Sequence, residues 1–185
     1  MRAFIAIEIP PTVRAALSHC RAELARLPVT ASWTRPEAIH LTLKFLGEIP
    51  ETSTAVVAQK LEQAASDSRA FHLQLAGLGA FPNLRRPRVL WAGLAGEVAP
   101  AQQLQLRLER ELEAAGFPRE EKPWKPHLTL ARLKSVENPR AFTAGVEAYR
   151  LPELPFEVDR VLLFRSELHP SGARYTELAA AALAR

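Results

Sequence analysis

A single cysteine, Cys20, is the only thiol in this 185-residue chain, so no disulfide can close within it, and a reducing compartment suits it. Long apolar runs are also missing. The opening MRAFIAIEIPP is interrupted by Glu8 and Pro10 and is too short for a secretory leader or a membrane span. A cytoplasmic monomer with no membrane association is the expectation. Metal-ligating patterns are absent: there is no HExxH and no Cys/His cluster, so no cofactor is expected. No GxSxG elbow supports a Ser-His-Asp arrangement. The stretch GLGAF lacks the third glycine and the flanking helix of a dinucleotide loop. Lysine is scarce, 5 residues against 19 arginines, in a chain of net charge +4 and pI near 9.6. Guanidinium presents a flat fork of donors that suits phosphate, so this mild basic excess permits an anionic substrate.

The 48% apolar and 24% charged residues are those of an ordinary globular protein, and the length suits one domain over 1–185. Periodicity alternates between strand and helix. AFIAIEI reads as a strand, and PTVRAALSHCRAELARL as a helix opened by prolines. IHLTLKFLGEI is a strand and TSTAVVAQKLEQAASDS a helix. FHLQLAGLGAF and RVLWAGLAG are strands joined by PNLRRP. PAQQLQLRLERELEAAG is an amphipathic helix ended by Gly116. HLTLARL is a strand, PRAFTAGVEAYR a short helix and FEVDRVLLFRSEL one long strand, followed by the turn HPSGA and the closing RYTELAAAAL.

The word HLTL occurs twice, at His40–Leu43 and His127–Leu130, 87 residues apart. Each copy falls at a matching place in a repeated element order, which suggests two similar halves. On a strand, alternate side chains share a face. Leu41, Leu43 and Phe45 are therefore expected in the core, with His40, Thr42 and Lys44 opposite. Likewise Leu128 and Leu130 point inward, and His127 and Thr129 outward. If a two-fold axis relates the halves, two imidazoles and two hydroxyls meet across a groove. One histidine can then act as base while the other, protonated, acts as acid. The threonine hydroxyls can donate to phosphate oxygens.

The flanks of these motifs carry a resemblance. HLTLKFLG, PHLTLAR, RAFIAIEIP and FPNLRRPRVLWAGL together resemble the RNA 2′,3′-cyclic phosphodiesterase family, also called 2′-5′ RNA ligases, of the two-histidine phosphoesterase superfamily. The likeness covers nearly the whole chain. It implies an α+β, bilobal fold of two pseudo-symmetric lobes, each a small antiparallel sheet covered by helices, with the active site in the groove between them. It also implies metal-independent hydrolysis of a terminal 2′,3′-cyclic phosphate, on RNA or cyclic nucleotides, to a 2′-phosphomonoester. His40 and Thr42 match the first motif position, and His127 and Thr129 the second. A 2′-5′ ligase or 2′-5′ phosphodiesterase in the same groove, or a non-catalytic module that binds RNA ends or nucleotides, stays open as an alternative.

Three further residues are candidates for substrate binding. Lys44 shares the expected face of His40 and Thr42. Arg132 ends the second motif, but parity places it on the core side, so it reaches the groove only if the strand ends or bulges. Phe4 alternates away from Ile5, Ile7 and Ile9 and can face the groove to stack a base. Arg85, Arg86 and Arg88 in the PNLRRP loop can hold RNA backbone.

Overall fold

The computed structural model describes residues Met1–Arg185. Nine strands and four α-helices follow in the order β1 (Arg2–Glu8), α1 (Pro11–Leu24), β2 (Val29–Trp33), β3 (His40–Glu48), α2 (Thr54–Ser66), β4 (Phe71–Phe81), β5 (Val89–Gly96), α3 (Val98–Ala114), β6 (Leu128–Val136), α4 (Pro139–Ala148), β7 (Pro155–Val158), β8 (Arg160–His169) and β9 (Gly172–Ala182). They build two antiparallel sheets, one ordered β3-β1-β8-β9 and the other β2-β6-β5-β4-β7. This is the α+β class expected, with each HLTL word in a different sheet. No helix is long and apolar enough to cross a membrane.

The helices form where an apolar stripe meets a defined start. In α1, Pro11 occupies the first turn, where a missing N–H costs nothing. Val13, Leu17, Cys20 and Leu24 then bury one face. Burial pushes the Cys20 thiol up to about 12, so it packs as a small apolar group. In α4 the Asn138 side chain accepts from the Ala141 N–H at 3.1 Å and Pro139 follows, which satisfies one of the free amides of the first turn. Both sheets and all four helices contribute to one continuous core that includes Ile5, Leu41, Leu61, Leu73, Leu108, Leu130 and Phe142.

Three features depart from the reading by periodicity. The strand β2 lies in a stretch to which that reading assigns no element, yet its Val29, Ala31 and Trp33 alternate with Thr30 and Ser32 and it pairs with β6. FEVDRVLLFRSEL is two strands, because the chain leaves one sheet after Val158 and enters the other at Arg160. The carbonyl of Asp159 between them accepts from Leu183. The sheets also do not follow the halves of the chain: β8 and β9 complete the sheet of β1 and β3, while β2 joins the sheet of β6.

A fourth departure decides the site. In β3 the register slips between Ile5 and Ala6 of the partner strand, which leaves Leu43 as an extra residue. In β6 the same slip leaves Leu130 as the extra residue opposite Leu90 and Trp91. A bulge of one residue turns every later side chain to the other face. Phe45, expected in the core, is therefore 66% exposed, and Lys44, expected beside His40 and Thr42, is 5% exposed.

Lys44 ends in the core facing α3. Its ammonium donates to Glu109 Oε2 and to the Pro118 carbonyl, each at 2.8 Å. Gln105 Nε2 and the Glu120 N–H complete the Glu109 carboxylate. Removing one member of a satisfied buried ion pair leaves the other charge stranded. Lys44→Ala or Glu109→Ala is expected to cost about 3–5 kcal/mol of stability in urea titration. The double replacement Lys44→Met/Glu109→Leu should recover most of that loss. A single variant as stable as the parent would contradict the pair's role.

Candidate active site

Each motif histidine is set by the backbone just before it. His40 follows a short turn at Pro36–Ala38, and its Nδ1 lies 3.1 Å from the Ala38 carbonyl. His127 follows Lys125-Pro126, and a residue before proline is held extended. The Lys125 carbonyl is thereby presented to His127 Nδ1 at 2.6 Å. In both cases the partner is a carbonyl two residues earlier, and a carbonyl only accepts. Nδ1 must therefore carry a proton, which makes Nε2 the one nitrogen that can gain or lose one.

Aromatic walls hold both rings. The His40 ring lies 4.8 Å from that of Phe164, 5.4 Å from Tyr175 and 6.2 Å from Phe4. His127 meets Phe81 edge-on at 4.8 Å, and Phe81 in turn leans on Trp91 at 5.3 Å. Trp91 lies so close over Gly79 that a Cβ there would come within 2.3 Å of the indole, so glycine is required at that position. Desolvation by these walls, the largest cause, holds both imidazoles below their ordinary value. The carbonyl hydrogen bonds oppose it at both rings, as does the charge of Glu8 at His40. The charges of Arg14 at His40 and Arg132 at His127 reinforce it.

Two adjoining cavities meet at the motif strands. One, of about 430 Å³, is lined from one sheet by Phe4, His40, Thr42, Phe45 and Tyr175, and from the other by Thr129 and Arg132. The second, of about 510 Å³, is lined by Thr42, Phe45, Phe81, Trp124, Lys125 and His127. Thr42 and Phe45 border both. The Trp124 indole N–H donates to the Thr42 carbonyl at 3.0 Å, fastening the loop before His127 to the strand of His40. Leu41, Leu43, Leu128 and Leu130 are buried behind these walls.

The candidates from the sequence are thus sorted. His40, Thr42, His127 and Thr129 border this pair of cavities. Arg132 joins them because the strand bulges at Leu130, the condition parity had set. Lys44 does not join them as a free cation, since the matching bulge at Leu43 turns it to Glu109. Phe4 does face the groove, but at 6% exposed it backs His40 and has no free face for a base. Phe45 has that face. It holds in the first motif the place Arg132 holds in the second. Its only sequence signal was an outward phase that the unrecognised bulge concealed. Tyr175 was also missed: the closing segment RYTELAAAAL gave no reason to place it against His40.

The geometry defines a class: two sheets, each contributing a histidine and a threonine to a pair of cavities that share Thr42 and Phe45. The family model of the 2′-5′ RNA ligase superfamily matches residues 9–170. The chain belongs to that superfamily, a phosphoesterase one. A protein of Thermus thermophilus named RNA 2′,3′-cyclic phosphodiesterase is 36% identical over 188 residues, 96% of this chain and 88% of that one. One of the same name from Thermotoga maritima is 33% identical over 178 residues, 96% and 93% of the two chains. Among solved structures, one of a Thermus thermophilus protein superposes with a TM-score of 0.77 at 35% identity, covering 99% of this chain and 98% of that one. E. coli LigT complexed with 3′-AMP gives 0.79 at 26% identity, covering 100% and 98%.

Burial of the rings has a measurable consequence. Both imidazoles should titrate below about 6.5 in the free protein, as followed by NMR of the ring nitrogens. The unfolded chain takes up those protons more readily, so their contribution to stability is complete above about pH 6.5 and is lost as pH falls through the folded values. Titration of either ring above 6.5 would contradict the desolvated walls.

Proposed function

We propose that this enzyme hydrolyses terminal 2′,3′-cyclic phosphates on RNA or on nucleotides to 2′-phosphomonoesters, with His40 and His127 as paired acid and base. The observation that carries the reading is the duplicated unit itself: histidine tethered at Nδ1, threonine two residues on, then a bulge. The names of the relatives point to the same substrate class.

In the mechanism, neutral His127 takes a proton at Nε2 from a water that attacks phosphorus in line with the departing O3′. Protonated His40 gives its Nε2 proton to O3′. The leaving oxygen stays on the nucleoside, so the acid belongs on the nucleoside's side. The cavity that His40 lines offers Phe45 and Tyr175 as apolar surfaces for a base and ribose. Thr42 and Thr129 donate hydroxyl protons to the non-bridging oxygens, where charge builds up. Arg132 adds a fixed positive charge. The strained five-membered ring opens, and each histidine ends in the opposite protonation state, so the pair resets by exchanging protons with water. Both proton transfers are assigned to the imidazoles, because their Nε2 atoms are the cleft positions left free to gain or lose a proton near neutral pH.

His40→Ala and His127→Ala should each lower turnover of a 2′,3′-cyclic nucleotide by about 10²–10⁴-fold. Thr42→Ala and Thr129→Ala should cost less, because each removes a single donor to the developing charge. Full activity in either histidine variant would overturn the acid–base assignment.

The pH profile of kcat/KM should be a bell, because one imidazole must be charged and the other neutral. Both free-enzyme values lie below the ordinary one, so its maximum should fall below about pH 6.5. The bell for kcat should lie further to the alkaline side, because the bound phosphodiester anion favours imidazolium. A profile independent of pH would contradict paired histidines.

A further inference from the structure

The positive charge of this chain is concentrated in two segments. Residues 68–96 hold four arginines, and residues 122–136 hold two lysines, one arginine and a further lysine, with no aspartate or glutamate in either. The other residues hold 16 Lys and Arg against 20 Asp and Glu, so outside these segments the chain is net acidic. The fold then places the two segments side by side. β5 pairs with β6 with Val89 opposite Arg132, and the Leu133 N–H donates to the Arg88 carbonyl.

The loop 82–88 springs from this edge. It leaves β4 at Phe81, which packs on His127, and returns at Arg88, beside Arg132. Its shape is set from inside: Asn83 Oδ1 accepts from the backbone N–H groups of Arg85 and Arg86, at 3.0 and 3.1 Å, and the Leu84 carbonyl accepts from Thr143. The side chains of Arg85, Arg86 and Arg88 are exposed, and none has an acidic partner. On the adjoining strand the exposed Lys134 lies two residues beyond Arg132. Arg132 at the cavity wall, Lys134 on the same strand, Arg88 one residue before Arg132's register partner Val89, and Arg85 and Arg86 further along the loop together make up a basic strip. None of the three loop arginines lines either cavity.

We infer that this strip binds the phosphate backbone of the RNA upstream of its cyclic end, so that the enzyme acts on strands of several nucleotides in preference to single cyclic nucleotides. The inference rests on the hydrolytic reading of the cleft. The terminal nucleoside fills the cavity between His40 and Arg132, and the strand leaves past Arg132 onto the loop. Guanidinium forks suit phosphate oxygens. A row of unpaired cations with no base-reading groups gives binding without sequence preference. An acidic peptide would also be attracted by charge, but the strip is continuous with a phosphate-binding cleft, which favours RNA.

The test compares the parent with Arg85→Gln/Arg86→Gln/Arg88→Gln on two substrates: a 2′,3′-cyclic mononucleotide and an RNA of about eight nucleotides with a 2′,3′-cyclic end, long enough to span a single-strand site. Three contacts to a single strand contribute a slope of about −2 to the dependence of log affinity on log salt. The triple variant should therefore lose roughly tenfold or more in kcat/KM on the oligonucleotide at low salt, with a shallower salt dependence. Its kcat/KM on the mononucleotide should stay at the parent level. A control variant, Arg21→Gln/Arg26→Gln/Arg69→Gln, removes equal charge from elements that line neither cavity and should keep oligonucleotide activity. Equal loss in the control, or an unchanged oligonucleotide rate in the triple variant, would overturn the inference. If the parent turned over neither substrate, the hydrolytic reading itself would fail, whereas mononucleotide turnover without length preference would remove only the strip.

Discussion

The bulge that follows each threonine is the constraint on which the site depends. A regular β3 would put Lys44 in the groove and Phe45 in the core. A regular β6 would bury Arg132. One extra residue in each strand reverses both outcomes. The extra residues are leucines, and both are buried, so apolar burial worth about 1.5–3 kcal/mol each offsets the broken ladder. Lys44, which the first bulge forces inward, is neutralised by Glu109 and the Pro118 carbonyl. The stability of the core and the composition of the cleft are therefore set by the same backbone irregularity.

Two opposing demands meet at the imidazoles. A general acid and a general base work best when each titrates near the working pH. The aromatic walls that orient the rings also strip them of water and favour the neutral form. The carbonyl bonds to Nδ1 partly restore the charged form and fix the tautomer at the same time. In the proposed mechanism, a bound phosphate supplies the remaining stabilisation of the imidazolium, so the acid becomes fully charged when there is something to protonate.

Much of this was legible in the sequence. The repeated HLTL placed both histidines and threonines on polar faces, and its flanks carried the family likeness. The sheets were less so. Val29–Trp33 does alternate, with Val29, Ala31 and Trp33 half-buried and Thr30 and Ser32 exposed, but over five residues with none fully buried the signal is short, and pairing with β6 is what makes the segment a strand. The exchange of β2, β8 and β9 between sheets is a property of long-range pairing, which periodicity within a segment does not encode. The bulge in β6 did leave a trace: Leu128, Leu130, Ala131 and Leu133 slip phase between the second and third. In β3 that trace was hidden, because the inward residue is a lysine and the outward one a phenylalanine. Glu109, in the middle of an apolar helical stripe, was the clue that a cation must come to meet it.

The central claim is that two histidines from two sheets act on one phosphate. It is tested most directly by NMR of the imidazole nitrogens during titration with adenosine 2′-monophosphate, the product class the mechanism predicts. One equivalent should move the Nε2 signals of His40 and His127 together, with both Nδ1 remaining protonated and hydrogen-bonded. If one equivalent moved only one of the two rings, the shared site would be contradicted.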